Sequence, residues 1–255
     1  MSDTISCQNF TGRSQAVPLG DFSQEPPEAM TDPVQPSDGA AKGRPYRGED
    51  QVMRISRRRA SLLEAGLEVF GTQGYRATSV KALCGQVGLT ERYFYESFAN
   101  REALLAAVFD MLAADLDATL RAELARRAND PPARIRAVVT TFFDFMRADP
   151  RRARVMLLEI LGVNPDIDRR YQAAVRDLAR LMEHPSLSLL PPGRGNAAAG
   201  VRVMSIGLVG AMVQIATQWM LDGFETPRRT VVQNALRFGR TATVDCLREA
   251  VADAR

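Results

Sequence analysis

Histidine and cysteine are nearly missing from this chain. His184 is the one histidine, and Cys7, Cys84 and Cys246 are the three cysteines, scattered over 255 residues. No CxxC or HxxxH spacing exists, so a structural zinc site within one chain has no ligand set. A Ser–His–Asp or Cys–His hydrolase would have to be built on His184, which precedes Pro185 in a turn-like stretch, and no cluster of acids offers a substitute. The sequence therefore reads as a non-enzyme with no metal and no cofactor, and its sparse, odd cysteines suit a reducing cytoplasm. A large excess of one charge is also missing. Lys and Arg number 33 against 30 Asp and Glu, a net +3 that names no partner. The first twenty residues lack the basic start and apolar core of a secretory signal. Runs of alternating Val, Ile and Thr that would make strands are absent too. One long uncharged run exists, Val203–Leu221, close to bilayer length. Ser205, Gln214, Thr217 and Gln218 interrupt it, and such polar groups are costly in lipid. It is expected to be a central helix of a soluble assembly, with no membrane partner.

What is present is helical. The first 46 residues hold six of the 14 prolines and no hydrophobic period. They cannot bury enough surface to offset their ordering entropy, and a disordered tail is expected over 1–53. Beyond it Ala, Leu, Arg and Glu dominate. Helices are predicted at 55–72, 79–86, 90–96, 100–127, 132–148, 151–161, 166–183, 196–222 and 227–251. Breaks are expected at Gly74, Gly88, Pro131-Pro132, Asp149-Pro150, Pro165, the loop from Pro185 to Gly195, and Pro227.

Residues 54–101 concentrate positive charge. Eight Arg and Lys side chains (Arg54, Arg57, Arg58, Arg59, Arg76, Lys81, Arg92, Arg101) face four glutamates. A basic block opening a compact helical unit is the electrostatic footprint of a phosphate binder. Spacing sharpens this. Leu62, Leu63, Gly66, Val69 and Phe70 share one face of the first helix. Thr78 or Ser79 caps a short helix whose inward residues are Val80, Leu83 and Val87. Cys84 is the small residue where two helices cross, Gly88 makes a tight turn four residues later, and Thr90 caps the next helix. That is the helix-turn-helix pattern. Phe94 and Phe98, four residues apart, are expected to anchor the second helix and leave Thr90, Glu91, Arg92, Tyr93 and Tyr95 outside. Arg92 can donate a bidentate pair to guanine and Glu91 can accept from cytosine N4. The Thr90 backbone N–H can meet a phosphate, and the two tyrosines can donate to phosphates or pack on thymine methyls.

The run Leu62-Leu63-Glu64-Ala65-Gly66-Leu67-Glu68-Val69-Phe70, followed by Gly74-Tyr75-Arg76-Ala77-Thr78-Ser79-Val80, Val87-Gly88-Leu89-Thr90 and Phe94-Tyr95-Glu96-Ser97-Phe98-Ala99-Asn100-Arg101-Glu102, resembles the DNA-binding domain of the TetR family of transcriptional regulators. The likeness covers about residues 55–116. It implies an all-α homodimer, with an N-terminal three-helix domain that binds a double-stranded DNA operator and a helical remainder that binds a small effector. It also implies that Tyr95, Arg101 and the Thr78/Ser79 helix start contact phosphate. The chain departs from the family at Cys84, usually alanine, at Arg92, often glycine, and at Glu96-Ser97, usually an aromatic–histidine pair. The expected domains are a tail over 1–53, a DNA-binding domain over 54–116 with the helix-turn-helix at about 79–98, and an effector and dimerisation domain over 117–255.

The C-terminal half carries a softer signal. Seven of ten methionines lie between Met111 and Met220, with Phe142, Phe143, Phe145, Tyr171 and Trp219 in the same span and Phe109 just before it. Methionine and aromatics make adaptable apolar pockets. A hydrophobic effector is expected among Phe109, Phe142, Met146, Met156, Tyr171, Met204 and Trp219, oriented by Gln214 and Gln218. Val232, Ala235, Leu236, Gly239, Ala242, Thr243, Cys246 and Leu247 form a stripe with small residues at its middle. Paired with the 196–222 helix, that stripe would build a four-helix dimer seam. Most members of such a family are repressors, so release from a palindromic site by an effector is the expected action. The alternative is a helical small-molecule carrier that has lost DNA binding.

Overall fold

The computed structural model describes residues 46–127, 130–188 and 195–239, and no strand occurs among them. Helix α1 spans Tyr46–Thr72, α2 Val80–Gln86, α3 Glu91–Ser97, α4 Arg101–Ala125 and α5 Pro131–Ala148. Helix α6, Pro150–Arg154, runs into a π-helical turn, Val155–Glu159. Helices α7, Pro165–Leu187, and α8, Gly195–Leu221, follow, and residues 228–239 form the described part of α9.

The helix starts are fixed by side chains that accept otherwise orphaned backbone N–H groups. Asn100 Oδ1 accepts from Ala103 N at 2.8 Å, Asp130 Oδ1 from Ala133 N at 2.9 Å and Asn164 Oδ1 from Ile167 N at 3.0 Å. Each such cap contributes about 1 kcal/mol. Prolines stand in the first turns of α5, α6 and α7, where no intrahelical N–H bond is lost. The breaks expected at Gly74 and Gly88 are present, and both glycines adopt the left-handed region, at φ 91° and 64°.

Three expectations are corrected. Helix α1 begins at Tyr46, so residues 46–53 belong to a helix and not to the tail; positions 1–45 lie outside the described residues. Residues 50–57 are all exposed, so no buried stripe marked them as helix. Extending an existing helix is cheap compared with nucleating one. Pro185 does not end α7, which continues to Leu187 with the proline ring buried in its last turn; His184 is exposed beside it. The single helix predicted over 151–161 changes from α to π at Val155.

Helices α1 to α4 enclose Leu62, Phe70, Leu83, Phe94, Leu104 and Leu105. The same core continues along α4 through Leu112, Leu116 and Leu120 to Phe142, Phe143, Met146 and Ile160. Gly71 of α1 lies so close to α6 that a Cβ there would stand 2.4 Å from Arg151 Cβ and 2.7 Å from its Cα. Helix α8 packs between α7 and α9, where Leu208 reaches 3.0 Å from the position a Gly239 Cβ would take. Its segment Ala198–Leu221 is long and apolar enough to cross a membrane by length and composition. Val203, Ile206 and Leu221 on it are exposed, at spacings that share one face.

Candidate nucleic-acid interface and effector cavity

The expected helix-turn-helix is present. Ser79 Oγ accepts from Ala82 N at 3.1 Å and starts α2. Leu83 and Cys84 face inward, and burial pushes the Cys84 thiol upward, assisted by the Glu91 charge. Thr90 occupies the N-cap position of α3, but its side chain makes no cap bond. Phe94 is fully buried and touches Phe98 with ring centroids 6.0 Å apart. This anchoring leaves Thr90, Glu91, Arg92 and Tyr95 exposed. Arg92 reaches back to Glu96, Nε to Oε1 at 3.2 Å, in a pair solvated enough to be exchanged for another partner. Tyr93 is half-buried under Arg58, whose guanidinium carbon lies 4.1 Å from the ring centroid.

Two of the proposed phosphate contacts are placed differently. Thr78 is buried, and its hydroxyl donates to Gly74 O at 2.8 Å, so only Ser79 faces solvent at that helix start. Arg101 is turned inward: its guanidinium donates to Thr78 O and lies 5.0 Å over the Tyr75 ring. It ties the start of α4 to the α1–α2 turn. The reason is local. Tyr75 is buried beside it, and its hydroxyl donates to Glu102 Oε1 at 2.8 Å. Burial, then that bond to Glu102, push the phenol up to about 12. The Glu102 backbone N–H, then the Tyr75 hydroxyl, hold the Glu102 carboxyl below its usual range.

Sequence reasoning missed the residues that join the two halves. Arg151 Nη1 donates to Glu68 Oε2 of α1 at 2.6 Å, and its Nε and Nη2 grip Asp149 at 3.0 and 2.8 Å. Asp149 and Glu68 hold this guanidinium charged, and Arg151 in turn keeps the Asp149 carboxyl low. Arg154 donates to Glu159 at 2.9 Å and to Thr72 O at 2.8 Å. Glu159 Oε2 accepts the Tyr75 N–H at 2.8 Å. The only sequence signal was the arginine-rich run after Asp149-Pro150. The partners lie more than 80 positions away, beyond any local spacing rule.

A cavity of about 500 Å³ opens between α4, α5, the π turn and α7. Five of the nine effector candidates line it: Phe109, Phe142, Met146, Met156 and Tyr171. The other four do not. Trp219 is buried against Phe143 and Phe224, and its Nε1 donates to Thr226 O at 2.8 Å. Gln214 and Gln218 are exposed, Gln218 donating to Asp222 at 2.8 Å, and Met204 lies off the cavity. Helix α8 is apolar around most of its circumference, so periodicity could not say which face turns inward. Its contribution to the wall is Val213. The missed lining includes Ala174, Leu178 and Leu181, which continue along α7 the stripe begun by Tyr171 at legible three-, four- and seven-residue spacing. The rim is charged: Arg170 pairs with Asp110, and Arg121 with Asp117 at 2.6 Å. Of the seam stripe, Val232 and Ala235 are buried, and Ala242 to Leu247 lie outside the described residues.

Residues 62–108 match the family profile described as bacterial regulatory proteins, tetR family. The chain is 25% identical over 211 residues to the HTH-type transcriptional activator FasR of Mycolicibacterium smegmatis, covering 82% of this chain and 94% of that protein. It is 18% identical over 161 residues to the fatty acid metabolism regulator protein of Bacillus subtilis, covering 63% and 82%. Among solved structures it resembles FadR from Bacillus subtilis in complex with stearoyl-CoA, with TM-score 0.59 and 15% identity over 71% of this chain and 96% of that one.

Proposed function

Because the chain belongs, by its DNA-binding domain, to the TetR family of transcriptional regulators, we propose that it is a cytoplasmic homodimeric repressor whose hold on a palindromic operator is released by a long-chain acyl effector. Helix α3 reads the major groove through Arg92 and Glu91, with Ser79, Thr90 and Tyr95 on the backbone. Two copies join along the uncovered apolar face of α8 together with α9, which sets the two α3 helices roughly 34–36 Å apart. The acyl chain fills the cavity bounded by Phe109, Phe142, Met146, Met156 and Tyr171. An anionic head, such as the phosphates of coenzyme A, takes Arg121 and Arg170 from their aspartates at the rim.

The observation that carries this reading is the π turn. Met156 and Leu157 form cavity wall, and Glu159 of the same turn accepts the Tyr75 N–H in the DNA-binding domain. A ligand that moves the wall moves the bond, with a coupling of roughly 1–3 kcal/mol. The relative named as a transcriptional activator favours a second reading, in which this chain, when bound to its operator, raises transcription instead of lowering it.

Gel shifts on the DNA upstream of its own gene, with stearoyl-CoA, stearate and free coenzyme A, test the proposal. Stearoyl-CoA is expected to weaken binding roughly five- to 150-fold, free coenzyme A to do nothing, and Ala174→Phe, which fills the cavity, to bind DNA without responding. Tightening by stearoyl-CoA would overturn release as the action of the effector. An unchanged response in Ala174→Phe would remove the cavity from the mechanism.

A further inference from the structure

Helix α1 starts 16 residues before the matched family region, at Tyr46 against residue 62. Residues 50–57 are exposed throughout, with Val52 at 64% and Ile55 at 41%. These two continue, at three- and seven-residue spacing, the side of α1 that buries Leu62. The segment has no core of its own, and an isolated helix of this length is marginal in water. Its charge is positive: Arg54, Arg57 and Arg58 lie three and four residues apart on one side, with Arg59 next to them. The inner pair is committed to the helix-turn-helix. Arg58 lies over Tyr93 and 3.8 Å from Glu96, and Arg59 donates to Ser97 O at 2.8 Å while lying 4.2 Å from the Phe98 ring centroid. The outer pair is not. Arg54 donates only to the backbone oxygen of Asp50, at 2.9 Å, and Arg57 has no acidic partner among the described residues.

We propose that this projecting end of α1 is a second DNA-binding surface, which grips the duplex backbone flanking the site read by α3. Its place beside α3 fixes the occupant: Arg58 and Arg59 join the two helices directly, so a duplex seated on α3 continues past Arg54 and Arg57. Their guanidiniums neutralise phosphates. Contacts of this kind are independent of sequence. The inference rests on the DNA-binding reading above and adds binding residues outside the helix-turn-helix.

The test compares the full-length protein with Arg54→Ala/Arg57→Ala and with Arg54→Lys/Arg57→Lys. Each is titrated with a 40-base-pair duplex of arbitrary sequence at several salt concentrations, with helicity checked by circular dichroism. Each phosphate contact contributes about 0.9 to the slope of log affinity against log salt. The alanine pair is expected to flatten that slope by about 2 per protomer bound and to bind roughly tenfold or more weakly at 0.1 M salt. The lysine pair is expected to keep the wild-type slope, because a point charge suffices on a phosphate. Identical slopes for wild type and the alanine pair would overturn the inference and leave the helix-turn-helix reading standing. No binding of the wild-type protein to any duplex would remove both. Loss of binding to phosphatidylglycerol vesicles in the alanine pair, with DNA slopes unchanged, would reassign the surface to a membrane and also overturn it.

Discussion

Replacing Gly71 with alanine adds one methyl group where α1 meets α6. That methyl would stand 2.4 Å from Arg151 Cβ, 2.7 Å from its Cα and 3.0 Å from its carbonyl oxygen. Carbon atoms in comfortable contact are about 3.5–4.0 Å apart, so α6 must withdraw by roughly 1 Å or more. Two of these neighbours are backbone atoms and cannot swing aside. Overpacking of this kind costs about 1–3 kcal/mol. Alanine recovers at most about 1 kcal/mol over glycine, the helix-interior value, at this last-turn position. The expected net is a loss of roughly 0–2 kcal/mol, and a Tm lower by up to about 8 °C at 2–4 °C per kcal/mol. The functional effect should be larger than the thermal one. Withdrawal stretches the 2.6 Å bond from Arg151 to Glu68 and loosens the π turn from Tyr75, so the response of DNA affinity to stearoyl-CoA should shrink more than DNA affinity itself. Differential scanning calorimetry and the gel shift with and without stearoyl-CoA measure the two quantities. A Tm raised by the full value of the helix propensity, with an intact effector response, would mean that α1 and α6 do not meet as described, and the reasoning would fail.

The remaining predictions concern single side chains. Arg92→Ala should relax base choice in a randomised operator library while leaving Tm unchanged, since the side chain is exposed and touches only Glu96. Tyr95→Phe should weaken binding to all sequences alike. Arg101→Ala should instead lower stability by about 1.5–3 kcal/mol, because its hydrogen bonds serve the α1–α2 turn; an unchanged Tm would return it to the phosphate role that the family resemblance implies. The Tyr75 phenol, at about 12 when folded and near 10 when unfolded, favours the folded state in its neutral form. Stability should therefore fall by about 2–3 kcal/mol as pH rises from 10 to 12, and Tyr75→Phe, compared by urea unfolding across that window, should lack this decline.

The helix-turn-helix was legible because its determinants are local. A cap, a small crossing residue, a glycine with positive φ and an aromatic anchor fall within twenty positions, and α2 and α3 lie within a residue of their expected bounds. Thr78 and Arg101 were misplaced for the opposite reason. Both are polar residues beside a cap and read as outward, but the Thr78 hydroxyl turns back to Gly74 O and Arg101 folds over Tyr75, and only the packed structure shows that. The cavity was half legible. Aromatic and methionine enrichment found the α4, α5 and π-turn wall, but α8 is apolar around most of its circumference and composition cannot choose its inward face. The tie from Glu159 to Tyr75 had no sequence signature, since a hydrogen bond between residues 84 positions apart leaves no periodic mark.

Helix α1 has a mechanical consequence. It is one uninterrupted rod of 27 residues, wedged against α6 at Gly71 and reaching past the domain at Arg54. At 1.5 Å rise per residue those points are about 25 Å apart. The rod is therefore a lever with its fulcrum at the end that meets α6, next to the proposed effector cavity. A tilt of about 10° at the wedge sweeps Arg54 through roughly 4 Å, more than the reach of a hydrogen bond to phosphate. A displacement too small to repack the cavity wall is thus multiplied by length at the far end, and the outermost grip on the duplex should be the first to let go.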